Sequence, residues 1–515
     1  MGPQDEAAVT PRSLPIRLTG GRRAFTPRRI LGISALAHDA AIAVVEDNEI
    51  IFAGHAERYS RVKNDPNLNT ALVAEALSHG QPDAIAWNGK PLLRKLRQVA
   101  SGQWDLVRDP AAFPRRYLSQ FALGAPPPPV HMVNHHAAHA AAGFYTSPFQ
   151  EAVVITADAI GEFDTFSIHH VQGRRWRTLS RVRYPDSLGL LYSAFTRRCG
   201  LTANKDEYIV MALAALGEAR YVPDIERDFI STAGWPFELR VNVHRGIGNW
   251  LPEASREDLA ASIQAVLETV MLSATRWARE RTGARNLVLM GGIALNCVAN
   301  TKIAEHAGYD DIWIMPNPGD AGSSLGAALA LGRRHVHWRG PYLGTNIDRQ
   351  LDIGDAVSAL EAGRAIGVAN GKAEFGPRAL GNRSVLADAR VVTAKDVVNR
   401  LKRRQPFRPF APVVLEPHAP QYFEMPRRSS PYMQYTVRCR RPEDVPAVVH
   451  VDGTSRVQTL ASTDRTGLHA LLTAFHARTG CPVLLNTSMN VRDEPLVNTW
   501  SDALRFSAET RIDVF

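Results

Sequence analysis

Residues 29–53 read Arg29-Ile30-Leu31-Gly32-Ile33-Ser34-Ala35-Leu36-Ala37-His38-Asp39-Ala40-Ala41-Ile42-Ala43-Val44-Val45-Glu46-Asp47-Asn48-Glu49-Ile50-Ile51-Phe52-Ala53. Ile30 to Ile33 is an apolar run of the length of a buried strand. Ala37-His38-Asp39 then makes a polar turn. Ala40 to Val45 and Glu49 to Ala53 predict a hairpin bent at Asp47-Asn48. A strand that ends in a His-Asp turn delivers reactive side chains to the rim of a sheet.

Further along, Glu151 to Ala157 reads as a strand ending in Asp158, and Phe163 to Val171 as a second one. Ser255 to Thr282 has the apolar spacing of a long amphipathic helix. Asn286 to Met290 is a strand running into Gly291-Gly292, and Ile312 to Met315 is another. A Gly-rich turn and a helix over Ser323 to Leu331 follow. After the stiff Pro126 to Pro129 connector, alanine content predicts a helix over His131 to Phe144. This is an α/β chain. Near residue 345 the character changes: Asp348 to Val357 reads as a linker or domain start, which puts a boundary between Gly340 and Ile353. Three segments result: a flexible extension over 1–28, a domain over 29–345 and a second over 346–515. No internal repeat of fixed period is visible.

A chain of 515 residues, 45% of them hydrophobic, suits two or three domains with sizeable cores. No window has the ~18 consecutive apolar residues of a membrane span, and Met1 to Arg28 has no apolar stretch of a secretory signal. Cys199, Cys297, Cys439 and Cys481 are widely spaced, so buried reduced thiols and a cytoplasmic location are expected. The net charge of +9 suggests a polyanion partner. The arginines are scattered, however, and phosphate-bearing small substrates account for them equally well.

His135 and His139 are four residues apart and share a face of a helix, where two imidazoles can hold one metal ion. Asp158 and Asp320 sit in Gly-punctuated turns after strands. Two histidines with two carboxylates suit iron, manganese or zinc. Gly291, Gly292 and Asn296 lie between a strand and a helix, where backbone can approach a phosphate. In the C-terminal part, Arg378 and Arg383 punctuate a Gly/Pro loop. Lys402, Arg403, Arg404 and Arg408 cluster around Pro406, Phe407 and Phe410. Ser488, Asn490 and Arg492 add short polar donors and another cation. Guanidinium forks bind phosphates bidentately, which suits a nucleotide together with an acyl phosphate.

As an ordered set, these motifs resemble the O-carbamoyltransferases of antibiotic biosynthesis and the related nodulation protein U. Glu57-Arg58, Ser187 to Leu190 and His450 to Thr454 carry the resemblance as well, which runs from about Arg29 to the C-terminus. It implies an actin/hexokinase-like first domain, similar to the metal- and nucleotide-binding subunit of the tRNA threonylcarbamoyladenosine machinery, and a YrdC-like second domain. The strand–turn–strand at His38 fits the first of these as a fold analogy. The YrdC-like domain would make carbamoyl-adenylate from ATP, with its Mg2+, and carbamoyl phosphate. The first domain would then transfer the carbamoyl group to a hydroxyl at a metal, typically Fe2+. His135, His139, Asp158 and Asp320 match the metal ligands, and His38 the active-site histidine. The basic loop residues with Ser488 and Asn490 match the nucleotide and carbamoyl phosphate site. For the base that takes the hydroxyl proton, His38 and Asp206 are the candidates. The family's usual MGLAPYG segment is Met211 to Gly217 here, without its proline and one glycine. The expected partner is a small hydroxylated acceptor. No membrane and no nucleic acid are expected, and a homodimer is left open. A tRNA- or protein-modifying component, and a kinase- or ATPase-like domain with a basic tail, are the competing functions. Aminoglycoside, macrolide, nucleoside and ansamycin acceptors all stay open.

Overall fold

In the computed structural model, residues 27–100, 113–464 and 466–515 are described. The expected extension therefore lies almost wholly outside the described residues. The quoted stretch forms β1 (Arg29–Ser34), β2 (Ala41–Glu46) and β3 (Glu49–His55), an antiparallel meander. β4 (Ala84–Asn88) and β5 (Val130–Val133) then add in parallel beside β1, giving the order β3-β2-β1-β4-β5. β6 (Glu151–Ala157), β7 (Asp164–Gln172) and β8 (Arg175–Arg183) form a second meander. β9 (Asn286–Met290) and β10 (Asp311–Ile314) add in parallel beside β6. Both sheets thus have one topology: three strands back and forth, then two parallel to the first. The turn after the first strand carries His38 in one sheet and Asp158 in the other. The repeat is topological, built from hydrogen-bond pattern, which is why no sequence period reveals it.

Along the same stretch of chain run the helices α1 (Pro91–Ala100), α2 (His135–Thr146), α3 (Leu188–Arg198), α4 (Arg256–Thr282), α5 (Cys297–His306) and α6 (Gly322–Gly332). α2 starts later than its alanine content predicts. Val130 to Val133 is β-strand, and Asn134 caps the helix by accepting from the amide of Ala137. α2 and α6 touch backbone to backbone: a Cβ on Gly326 would stand 1.9 Å from the carbonyl oxygen of Ala138. That contact fixes the helix bearing both histidines against the helix that follows Asp320.

The C-terminal part holds β11 (Tyr342–Ile347), β12 (Ile366–Ala369), β13 (Gly371–Glu374), β14 (Arg383–Asp388), β15 (Ala411–Leu415), β16 (Tyr435–Arg438), β17 (Thr454–Leu460), β18 (Val483–Ser488) and β19 (Asp513–Val514). Seven of them make a mixed sheet in the order β16-β17-β15-β18-β14-β12-β19, and β11 pairs with β13. The region around residue 345 is therefore strand β11, and Ile353–Glu361, capped by Asp352, is a helix. One buried apolar cluster runs from Val153 and Leu289 in the second sheet to Val385 and Leu484 in the third. Polar ties reinforce the seam. The buried Arg58 guanidinium donates to the carbonyls of Glu374 and Gly376, and Thr301 donates to the Thr436 carbonyl at 2.9 Å. All four cysteines are buried and free. Among the described residues no helix is long and apolar enough to cross a membrane.

Candidate active site

The ends of β6, β9 and β10 and the start of α2 open onto one cavity of about 1270 Å³, whose far wall is built from the C-terminal sheet. At one end four side chains converge. His135 Nε2 lies 3.0 Å from Asp158 Oδ2 and 3.4 Å from Asp320 Oδ1. His139 Nε2 lies 3.3 Å from each carboxylate. All four ligand atoms fall within 4.8 Å of one another. Local structure aims each of them. His139 Nδ1 donates to the Pro318 carbonyl at 3.0 Å, which turns Nε2 toward the centre. Asp158 Oδ1 accepts from the amide of Ala159 at 2.8 Å, so Oδ2 turns to the histidines. Asp320 caps no helix: Ala321 stands at the start of α6 with no side-chain bond. Asn88 Nδ2 faces His135 Nδ1 at 3.4 Å while its Oδ1 is buried without a partner. Exchanging that amide's oxygen and nitrogen gives His135 Nδ1–H an acceptor and frees Nε2 as a ligand.

Burial lowers the basicity of His139, but hydrogen bonds that its ring N–H donates to Asp158 and Asp320 outweigh it and lift its pKa to about 10. Burial alone would raise the Asp158 carboxyl, yet His135 and His139 hold it well below the usual carboxylate range. Carboxylates that grip a proton this firmly would grip a divalent cation in its place. The donor set, two imidazole nitrogens and two carboxylate oxygens, fits a borderline metal such as iron, manganese or zinc.

Beside this cluster, His38 Nδ1 meets Asp39 Oδ2 at 2.9 Å and Nε2 donates to the Asn204 carbonyl at 2.9 Å. Burial works against its charge, but Asp39 and then Asp320 raise its pKa to about 9. Near pH 7 His38 is therefore an imidazolium with both N–H groups engaged. Asp206 lines the same cavity and accepts from the amide of Thr202 at 3.0 Å. Gly292 and Asn296 line it too. Gly291 sits just behind, with φ +89° and no room for a Cβ, which would lie 2.2 Å from the Ala157 carbonyl oxygen. Its role is the close approach of β9 to β6. The Asn296 side chain is engaged with Ala299 and Gln264.

The opposite wall is cationic. Arg378, Lys402, Arg404 and Arg408 all line the cavity, as do Ser488, Asn490 and, at the rim, Arg492. Lys402 is knotted to the other two: its ammonium donates to the Ser488 carbonyl and to the carbonyl and Oδ1 of Asn490 at 2.6 and 3.1 Å. The Arg404 guanidinium lies 4.0 Å over the Phe410 ring, and Arg408 lies 4.8 Å over that of Tyr208. Burial and then the neighbouring Arg456 lower the Arg378 pKa to about 9. Burial and then Arg408 push Arg404 down. Among the described residues no carboxylate forms an ion pair with Arg378, Arg404, Arg408 or Arg456. Arg456 was missed from sequence. It lies on β17 two residues beyond the quoted His450 to Thr454 motif, and its Nε is buried without a partner.

Two expected residues lie elsewhere. Arg383 is fully buried and spends its guanidinium on backbone carbonyls, including those of Asn370 and Asn382 at 2.8 Å and Thr345 at 2.9 Å. It closes the loops around β11, β13 and β14 and does not reach the cavity. The Arg403 side chain is 67% exposed and pairs with Glu509 at 2.9 Å.

Comparison with known proteins gives the family of the chain. The sequence profile of the carbamoyltransferase N-terminus matches residues 29–98 and 124–329, and that of the carbamoyltransferase C-terminus matches 357–515. An uncharacterised protein of Synechocystis sp. is 34% identical over 94% of this chain and 95% of its own length. The nodulation protein NolNO of Sinorhizobium fredii is 33% identical over 92% of this chain and 77% of its own. The 3'-hydroxymethylcephem-O-carbamoyltransferase of Amycolatopsis lactamdurans is 30% identical over 91% and 94%. Among solved structures, full-length HypF in its phosphate- and nucleotide-bound form is 13% identical, with a TM-score of 0.35 over 60% of this chain and 48% of that one. With both profiles matched in order along most of its length, the chain belongs to the carbamoyltransferase family.

Proposed function

We propose that the chain is an ATP-dependent O-carbamoyltransferase that takes its carbamoyl group from carbamoyl phosphate, through carbamoyl-adenylate, to a hydroxyl of a small natural product. One observation carries this: a single cavity holds a two-histidine, two-carboxylate cluster at one end and unpaired buried guanidiniums at the other. Water hydrolyses carbamoyl phosphate to carbamate and phosphate; a carbamate oxygen then bonds to the α-phosphorus of ATP, and pyrophosphate leaves. Arg378, Arg404, Arg408 and Arg456 neutralise the charge that builds on the phosphates. The acceptor oxygen then bonds to the carbamoyl carbon, AMP leaves and the hydroxyl proton is released.

A divalent metal held by His135, His139, Asp158 and Asp320, ferrous iron by resemblance to the family, would supply Lewis acidity toward the carbamoyl oxygen. His38, an imidazolium at neutral pH, offers positive charge beside that oxygen, and Asp206 is the better placed of the two candidates to receive a proton. Enclosure of both ends in one cavity shields a hydrolysable adenylate from water. The repeated topology of the first two sheets supports an actin/hexokinase-like domain, with the YrdC-like assignment resting on the Arg404, Arg408 and Ser488 to Asn490 pattern. Carbamoyl phosphate-dependent release of pyrophosphate from ATP tests the proposal. Release of ADP instead would overturn it.

A further inference from the structure

The reaction above leaves several cavity cations without a task, among them a pair on one helix. Arg94 and Arg97 stand one turn apart on α1, and both line the cavity with Gln98. Their place follows from their bonds. Arg94 Nη1 donates to the carbonyl of Leu36 at 3.3 Å, two residues before His38. The start of α1 is held by Glu162, which accepts from the amide of Lys90 at 2.8 Å. Glu162 also accepts from Asn134 Nδ2 at 3.0 Å and from the amide of His135 at 3.2 Å. The pair thus belongs to the wall that carries His38 and the start of α2. The loop from Thr202 to Tyr208 separates it from the C-terminal arginines: its Asn204 carbonyl accepts from His38 and its Tyr208 ring lies under Arg408.

Arg97 is only 8% exposed, and its Nε and Nη1 are buried with no hydrogen-bond partner among the described residues. Burial and then Arg94 depress its pKa, with Tyr184 and Glu162 opposing. Glu162 is the only carboxylate among those groups, and its oxygens are already taken by three N–H donors. Behind Tyr184, His244 has its own pKa lowered by burial and then by Arg97, Arg197 and Arg245, so the surroundings add positive charge. A guanidinium cannot shed its proton near neutral pH, so burial of this kind calls for an anion.

Resting on the carbamoyl-transfer function above, we propose that Arg97, with Arg94, is a subsite for a carboxylate or phosphate carried by the acceptor, so that the hydroxylated substrate is an acid and not a neutral or polycationic molecule. The phosphates of the donor already have the C-terminal arginines, on the far side of the Thr202 to Tyr208 loop. This subsite sits where an acceptor would approach the metal cluster from the α1 side.

The full chain, with ATP and carbamoyl phosphate, is offered hydroxylated metabolites in pairs, each as the free acid and its methyl ester, beside aminoglycosides. Products are read by mass spectrometry. The acid should exceed its ester at least about tenfold in kcat/KM, through KM, because loss of a charged partner leaves buried donors unpaired. In Arg97→Met that ratio should fall to within about threefold of unity, with Arg97→Lys recovering part of it. Esters or aminoglycosides outperforming the acids would overturn the proposal. So would a rise in the KM for carbamoyl phosphate or ATP in place of the acceptor, which would assign the anion to the donor. Crystals soaked in bromide give a readout free of catalysis: anomalous density at Arg97 in the parent, lost in Arg97→Met. Its absence from the parent would sink the subsite, whereas absence of pyrophosphate release would instead strike the carbamoyl-transfer function.

Discussion

At one end of the cavity, His135, His139, Asp158 and Asp320 bring bases and anions together. At the other end, Arg378, Arg404, Arg408 and Arg456 bring only cations. Both ends bury charge, but they have different remedies. Imidazoles and carboxylates trade protons, so the first end balances itself with a proton on His139 that the carboxylates hold up to about pH 10. Guanidiniums have no such recourse. The second end is neutralised only by an anion from outside, which on the proposed function is the phosphate of the first substrates.

The sharpest way to break this division is His139→Ala. Bound metal, counted by mass spectrometry, should fall, and carbamoyl transfer should drop by on the order of 10³-fold. Pyrophosphate release should persist, because the cationic end is untouched. Undiminished transfer by the metal-free variant would end the assignment. Arg404→Ala works on the other end: carbamoyl phosphate-dependent pyrophosphate release should fall by on the order of 10²-fold. Release at the parental rate would mean that the unpaired guanidiniums do not meet the triphosphate.

A third comparison sets a cavity arginine against a structural one. Arg383 donates to carbonyls of loops near residues 345, 370 and 498 and touches no cavity space. Arg383→Met leaves those carbonyls buried and unpaired, so the urea midpoint should shift by the equivalent of about 3 kcal/mol or more. An unshifted midpoint with lost pyrophosphate release would return Arg383 to the phosphate site that its loop suggests.

Arg383 also shows where sequence stops being legible. Its neighbours Phe375 to Ser384 read as a phosphate loop because glycine, proline and arginine alternate. What decides its role is the set of carbonyls facing it, and those come from three distant segments. Glu374 compounds this, since its buried carboxylate takes the amides of Leu380, Asn382 and Arg383 that such a loop would offer a phosphate. The convergence of His135, His139, Asp158 and Asp320 was legible because its signals are local: i,i+4 spacing on one helix, and aspartates at strand ends. Arg456 was not, because its facing depends on the pleat of β17 and on neighbours more than forty residues away in sequence. Seven of the ten strands in the first two sheets were readable one by one, whereas Ala84–Asn88, Val130–Val133 and Arg175–Arg183 were not, and neither was the repeated topology, since backbone pairing needs no likeness of side chains. The region near residue 345 looked like a joint. Arg58 and the continuous apolar core make it a seam that neither half could expose without leaving buried polar groups unpaired.

His38 offers the finest test of the contrast, because it stands at the proton-trading end yet titrates within reach of ordinary buffers. Its pKa rises from 6.5 unfolded to about 9 folded, against the cost of burial, through Asp39 and Asp320. A group whose folded pKa is raised stabilises the fold fully below its unfolded pKa, and that stabilisation is lost as pH rises through the folded value. The parent should therefore melt above His38→Gln by a constant margin below about pH 6.5, a narrowing one between there and about pH 9, and none beyond. Asp39 works in the other direction: its folded pKa is pulled down to about 2, so its share is present above its unfolded value and lost only as pH falls through about 2. Melting curves of parent, His38→Gln and Asp39→Asn between pH 5 and 10 separate the two, since within that range only the histidine's protonation changes. A margin that widens with pH would mean that His38 is neutral when folded, which would make it a base in waiting and turn Asp206 from proton acceptor into bystander.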